Sequence, residues 1–150
     1  MMKRIIGGSD RIDFPELELE NVEARIDSGA KSSSIRASYI KETEKEGKKI
    51  LRFCLLGNRK KTYYFDQYWT REVKSSNGQT QKRFVVKLRV EIFGHKTLTD
   101  FTLARRKEMR YPVLLGRRLL RNRYVVDVSK KNLSYDQKKI NKDANSNIIS

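Results

Sequence analysis

The sequence predicts an all-β domain, a closed barrel or a sandwich, and three observations carry that reading. Phe84, Val86, Leu88, Val90 and Ile92 are five apolar residues at strict period two, with Lys87, Arg89 and Glu91 between them. Such alternation marks a strand with one buried face. Other short segments rich in β-branched and aromatic residues recur along the chain, several of them ended by Gly or Asn turn signals. Helical periodicity is nearly absent, and many short strands with turns between them close into barrels or stack as sandwiches.

The elements follow in order. Val22, Ala24 and Ile26 alternate with polar neighbours and run into Asp27-Ser28-Gly29, a turn signal. The mixed-charge stretch from Ile40 to Lys49 reads as an exposed loop or hairpin tip. Ile50 to Leu56 is a β-rich segment stopped by Gly57-Asn58, and Tyr63 to Trp69 is aromatic, as strands often are. Ser75-Ser76-Asn77-Gly78 precedes the period-two strand, and Asn-Gly is a strong hairpin signal. Leu98 to Leu103 and Tyr111 to Leu115 are further strands, the second closing at Gly116. Arg117 to Asn122 has room for one or two helical turns, and Tyr124 to Val128 returns to strand. Beyond Tyr135 the chain is rich in lysine and asparagine and poor in large apolar residues, the composition of a disordered end. One domain is therefore expected over residues 1–135, and a basic, disordered tail over residues 136–150.

Composition narrows the function. A chain of 150 residues is the size of one domain and buries a core without disulfides. Lys and Arg number 34 against 18 Asp and Glu, a net charge of +16. The excess is not uniform: residues 1–30 are net acidic, whereas residues 103–123 hold eight basic side chains and one acid, Glu108. Such a field attracts anions, whether nucleic acid, ribosomal surfaces or acidic peptides. The longest apolar run, Phe53 to Leu56, is too short to cross a membrane, and no secretory leader follows Lys3 and Arg4. A single cysteine, Cys54, forms no internal disulfide and suits a reducing cytoplasm.

The same counts exclude chemistry. One histidine (His95) and one cysteine supply no zinc site of three or four nitrogen and sulfur ligands within one chain. A Ser-His-Asp or Cys-His arrangement would need His95 beside a nucleophile, and its position next to Gly94 reads as a surface turn. No glycine-rich loop runs into Lys-Ser or Lys-Thr, so neither a nucleotide nor any other cofactor is expected. A hydrolase built from these residues works with carboxylates.

Three features then coincide. The strand Val22 to Ile26 delivers Asp27-Ser28-Gly29-Ala30; an apolar pair later runs into glycine as Leu114-Leu115-Gly116; and a short helix, Arg117-Arg118-Leu119-Leu120, follows at once. A lone Asp-Ser-Gly is an ordinary turn, but the blocks in this order resemble the retropepsin-like aspartic proteases. The chain is still more similar to the bacterial and archaeal family long called ATP-dependent zinc proteases, associated with glutamate-ligase genes. The matching stretches are ARIDSGAKSSSIRA (24–37), REVKSSNG (71–78) and FTLARRKEMRYPVLLGRRLLRNRYVVD (101–127), which together sample most of residues 20–128.

The resemblance implies a closed acid-protease barrel with one short C-terminal helix, acting as a homodimer. Asp27 would be the catalytic aspartate, one of two symmetry-related copies that share a proton across the dimer axis. Ser28, Gly29 and Ala30 would complete the active-site loop, with Leu114, Leu115 and Gly116 as its second signature. Retropepsins usually carry an acid after the alanine, paired with the arginine after the second glycine; here Lys31 takes the acid's place while Arg117 matches the arginine. Both cations facing the cleft would favour an anionic substrate, such as the glutamate-rich tails that the gene association suggests. Alternatively, Lys31 points to solvent and Arg117 pairs with Asp127 or another acid. Asp100 and Asp127 read as strand-end hydrogen-bonding residues. Ser76, Asn77 and Gly78 would belong to a flap over the cleft. The rival reading is a non-catalytic basic β-domain that binds RNA or ribosomes.

Overall fold

The computed structural model describes residues 2–74, 77–105 and 110–149, with side chains described as far as residue 145. The chain runs through β1 (Arg4–Phe14), a 3-10 turn at Pro15–Leu17, β2 (Leu19–Ile26), β3 (Ser33–Lys45), β4 (Lys48–Leu55), β5 (Tyr63–Phe65) and β6 (Trp69–Lys74). It continues through β7 (Thr80–Ile92), β8 (His95–Ala104), β9 (Val113–Leu115), α1 (Arg117–Leu120), β10 (Tyr124–Lys131) and α2 (Leu133–Ile149).

Alternation sets the inward face. Val22, Ala24 and Ile26 of β2 are buried, as are Val86, Leu88, Val90 and Ile92 of β7, while Lys87 stays in solvent. Their pairing closes a ring in the order β1-β2-β9-β3-β8-β7, which returns to β1 through Asp13 and Glu91. This is a mostly β, closed six-stranded barrel, the architecture that the retropepsin resemblance implies. Outside the ring, β10 lies parallel to β1, β6 pairs with β7, and β4 and β5 extend the outer half of β3. Phe14 meets Phe101 edge-on inside the barrel, ring centres 5.5 Å apart. A second aromatic group joins Phe53 to Tyr63 and Phe65.

The stretch from Ile40 to Lys49 is the end of β3 and the start of β4, joined by Glu46-Gly47 at φ 54° and 79°. Phe93-Gly94 joins β7 to β8 in the same way, at φ 53° and 77°. Paired left-handed residues give the turn twist that antiparallel strands require. The aromatic run from Tyr63 to Trp69 is interrupted, ending one strand at Phe65 and beginning another at Trp69.

Residues 4–14 form a strand that sequence reading did not single out: Gly7-Gly8 interrupts its apolar pattern, yet Ile6 and Ile12, an even number of positions apart, both reach the core. One expectation needs correction. The supposed disordered tail is instead α2, longer than the single short helix expected near this end. Its first turn is capped from a distance. The buried Asp10 accepts the N–H of Ser134 at 2.9 Å on one carboxylate oxygen, and those of Tyr135 at 3.1 Å and Arg11 at 2.8 Å on the other. The Ser134 hydroxyl accepts the N–H of Phe93, and Lys138 bridges Asp13 and the side chain of Asn21. No helix among the described residues is long and apolar enough to cross a membrane.

Replacing Asp10 with alanine leaves two helix N–H groups without their acceptor, at an expected cost of about 1–2 kcal/mol. Burial pushes the Asp10 carboxyl above its ordinary value of 3.8, outweighing the three donors that favour its charge. A raised folded-state pKa contributes stability that is fully present below the ordinary value and lost as pH rises through the raised one. The penalty for Asp10→Ala is therefore expected to be largest in acid and to shrink toward neutrality. Urea denaturation of both proteins across that range checks the sign; a penalty that grew with pH would reverse it.

Candidate functional site

Asp27 leaves the end of β2 half-buried, and its geometry is set by backbone bonds to a distant segment. Its own N–H donates to the carbonyl of Leu115 at 2.9 Å, continuing the parallel pairing of Ile26 with Leu115. Its Oδ1 accepts the N–H of Gly29 at 3.0 Å, which fixes the carboxylate against the turn. The return strand is bound as firmly: Arg117 N–H donates to Ala30 at 2.8 Å, Arg118 N–H to Lys31 at 3.1 Å, and Gly116 N–H to the buried Ser33 hydroxyl at 3.0 Å. Asp27, Ser28, Gly29, Ala30, Leu114, Leu115, Gly116 and Arg117 thus meet in one place. Glycine is required at 116, since a Cβ there would sit 2.6 Å from the Ser32 carbonyl oxygen and 2.9 Å from that of Ala30. At Gly29 a Cβ would crowd Asp27 Oδ1 at 3.3 Å.

Arg117 makes no ion pair with Asp127 or another acid among the described residues. Its guanidinium donates to the carbonyl of Ser28 at 3.0 Å, so it braces the aspartate turn rather than pairing with Asp127. Ser28 accordingly contributes its carbonyl to the lock. Asp127 is occupied by the hydroxyl and N–H of Ser129, which hold its carboxyl below the ordinary range. His95 is exposed at the start of β8.

A groove of about 450 Å³ adjoins the turn. Ser34, Thr102, Ala104 and Leu114 line its barrel side; Ala30, Lys31 and Ser32 form one wall, and Arg71 to Lys74 with Arg83 form the other. Four of these residues are cationic (Lys31, Arg71, Lys74, Arg83) and one, Glu72, is acidic. Arg71 and Arg83 are register partners across β6 and β7, so two like charges share one face. Asp100 offsets them: it pairs with Arg71 at 3.4 Å and with Arg118 at 3.2 Å. Arg71 also donates to the Ser32 hydroxyl at 2.7 Å, tying the hairpin to the aspartate turn.

The segment expected to act as a flap lies between β6 and β7, and it is the strands of that hairpin that line the groove. Asn77 and Gly78 lie at the tip and are absent from the lining among the described residues. Ser75 and Ser76 lie outside the described residues. Arg71, Lys74 and Arg83 carried no assigned role in the sequence. Their signal was the run REVK read as a strand paired with the following one, which would have placed Arg71 opposite Arg83. Among the described residues, no cluster of three or more His, Cys, Asp or Glu is arranged to hold a metal ion.

Residues 5–137 match the family described as RimB-like, the retropepsin-like aspartic endopeptidase RimB. A probable alpha-L-glutamate ligase of Shewanella halifaxensis is 36% identical over 135 residues, covering 85% of this chain and 29% of that protein. A probable alpha-L-glutamate ligase of Desulfotalea psychrophila is 32% identical over 130 residues, covering 83% of this chain and 28% of its own length. The chain therefore spans less than a third of the curated relatives it matches. The crystal structure of Lpg0085, a Legionella pneumophila protein of unknown function, superposes with a TM-score of 0.71 at 29% identity, over 89% of this chain and 99% of that one.

The close contact at Gly116 yields a direct check. Gly116→Ala forces a methyl group against two backbone carbonyls that the turn cannot move, an overpacking cost of roughly 1–3 kcal/mol. Thermal unfolding is expected to show that loss, and an unchanged midpoint would mean the two segments are not locked.

Proposed function

The chain belongs to the RimB-like family of retropepsin-like aspartic endopeptidases, and from that premise we propose that it is an aspartic endopeptidase whose dyad forms between the Asp27 residues of two identical subunits, acting on acidic, glutamate-rich peptides. The observation that carries this reading is the Asp27 carboxylate fixed on a braced turn beside a groove whose charged side chains are four cations and one acid.

Peptide hydrolysis by this route needs two carboxylates sharing one proton. The ionised one takes a proton from water as the oxygen attacks the carbonyl carbon, and the protonated one donates to the carbonyl oxygen. Collapse of the tetrahedral diol then breaks the C–N bond as the amine takes up a proton. Among the described residues, Asp100 is engaged by two guanidinium groups and Asp127 by Ser129, and Glu72 stands on the opposite wall of the groove rather than on the aspartate turn. A second copy of Asp27 would supply the other carboxylate. The sheet path ends at β10 and β6, and Ile5, Val125 and Val128 leave apolar surface beside the β10 edge, the kind of edge a partner covers.

The substrate class follows from charge and from company. Relatives named as probable glutamate ligases share this region over less than a third of their length. An activity that extends a chain with glutamate and one that cleaves peptide would meet on the same glutamate-rich segment.

Asp27→Asn is nearly isosteric but neither ionises nor shares a proton, so cleavage of a glutamate-rich peptide is expected to fall to background while the unfolding midpoint holds. Retained turnover in that variant would remove the carboxylate mechanism. Sedimentation in moderate salt is expected to give a dimer at assay concentrations. An active species that stays monomeric would exclude the shared dyad.

A further inference from the structure

A second cavity, about 680 Å³, opens beside residues 36–39 of β3, just past the ends of β4 and β8, and three arginines line it: Arg36, Arg59 and Arg105. Among the described residues, no acidic side chain lines it and none of the three arginines pairs with an acid. Each is held in place by something other than a countercharge. Arg105 donates to the Ile40 carbonyl at 3.2 Å; Arg36 lies against Gly57; Arg59 sits over the Tyr39 ring at 5.1 Å. Tyr39 occupies the left-handed region, φ 52°, where the register of β3 against β4 shifts between Ser38 and Lys41. Bulky residues adopt that conformation rarely, and such shifts re-aim side chains at functional edges.

The cavity lies in line with the groove. Arg36 is the register partner of Ala104, which lines the groove. Arg36 also follows Ser34, another lining residue, by two positions on the same strand, so the two share a face about 7 Å apart. An extended peptide in the groove therefore reaches the arginines within a few residues of the aspartate turn.

We infer that Arg36, Arg59 and Arg105 form a carboxylate-binding subsite that holds acidic side chains of a substrate some residues away from the cleaved bond. Guanidinium forks match carboxylates two bonds at a time, and three of them without a resident acid suit a run of acids rather than one. Tyr39 already carries the Arg59 guanidinium, which leaves no stacking face for a nucleic-acid base on that side. The inference rests on the peptidase reading for its substrate class and extends it to a place that reading does not include.

The test is a binding measurement in the full chain carrying Asp27→Asn, so that nothing is cleaved, with fluorescein-labelled hexaglutamate as probe. Arg59 and Arg105 are exposed, and Arg59→Gln with Arg105→Gln is expected to weaken binding at least about tenfold. Lys48→Gln with Lys49→Gln, at the β3–β4 turn, removes the same charge from an exposed site elsewhere and is expected to change binding less than twofold. Equal losses in the two double variants would reduce the effect to the general field and overturn the inference, as would no loss in the arginine variant. Tighter, arginine-dependent binding of a six-nucleotide RNA than of hexaglutamate would overturn it in favour of nucleic acid. If the arginine dependence holds while the native Asp27 protein cleaves no peptide, the subsite stands and the peptidase reading falls.

Discussion

The backbone lock between the aspartate turn and the segment after β9 is the constraint on which both barrel and site depend. Strand β9 has three residues, yet it pairs with β2 on one side and with β3 on the other. Without it the ring has no closure between those strands. The bonds that continue past its end, from Asp27 to Leu115 and from Arg117 to Ala30, are the ones that set the turn bearing the carboxylate. Each contributes only about 1 kcal/mol net. With the Arg117 side-chain bond to the Ser28 carbonyl they join parts of the chain as much as 89 residues apart, so the turn is ordered only once the barrel has closed. Site geometry is here a consequence of fold closure.

Charge is sorted in a matching way. Most acids of the first thirty residues are engaged in structural contacts: Asp10 caps α2, Asp13 holds Lys138, Glu16 meets Arg89 at 2.5 Å and Glu18 meets Lys61 at 3.5 Å. Exposed pairs of this kind stabilise weakly, but each removes a countercharge from the anion-attracting faces. Asp27 belongs to no ion pair among the described residues. Part of the net positive charge thus stays where grooves open, as Lys31 and Lys74 beside the aspartate turn and as Arg36, Arg59 and Arg105 in the second cavity.

What the sequence makes legible follows the range of the physics involved. Strands whose alternation is unbroken, such as β7 and the end of β2, are readable because burial of one face imposes period two. The Asp27 to Ala30 and Leu114 to Gly116 blocks are readable because short-range backbone demands restrict their residue types. Strand β1 is not, because Gly7-Gly8 interrupts its apolar pattern. Helix α2 is not, because its cap, Asp10, lies 124 residues upstream of Ser134. A local reading finds only lysines and asparagines there. The cationic wall of the groove is hidden for the same reason: Arg71 and Arg83 converge through strand pairing, and nothing in their immediate neighbours reveals it.

Asp100 explains how that wall stays ordered. Like charges directly across a strand pair repel, and Arg71 opposite Arg83 would splay the hairpin from the barrel if nothing intervened. The Asp100 carboxylate, mostly shielded from solvent, draws Arg71 toward β8 and takes Arg118 from α1 at the same oxygen. Arg71 then spends its other nitrogen on Ser32. Hairpin, barrel strand, short helix and aspartate turn are therefore tied at one acid. Of the groove's other cations, the side chains of Lys31 and Lys74 take no part in that junction. The charges that hold the wall and the charges that face a ligand are separate side chains, so a groove this basic keeps its shape before any anion enters it.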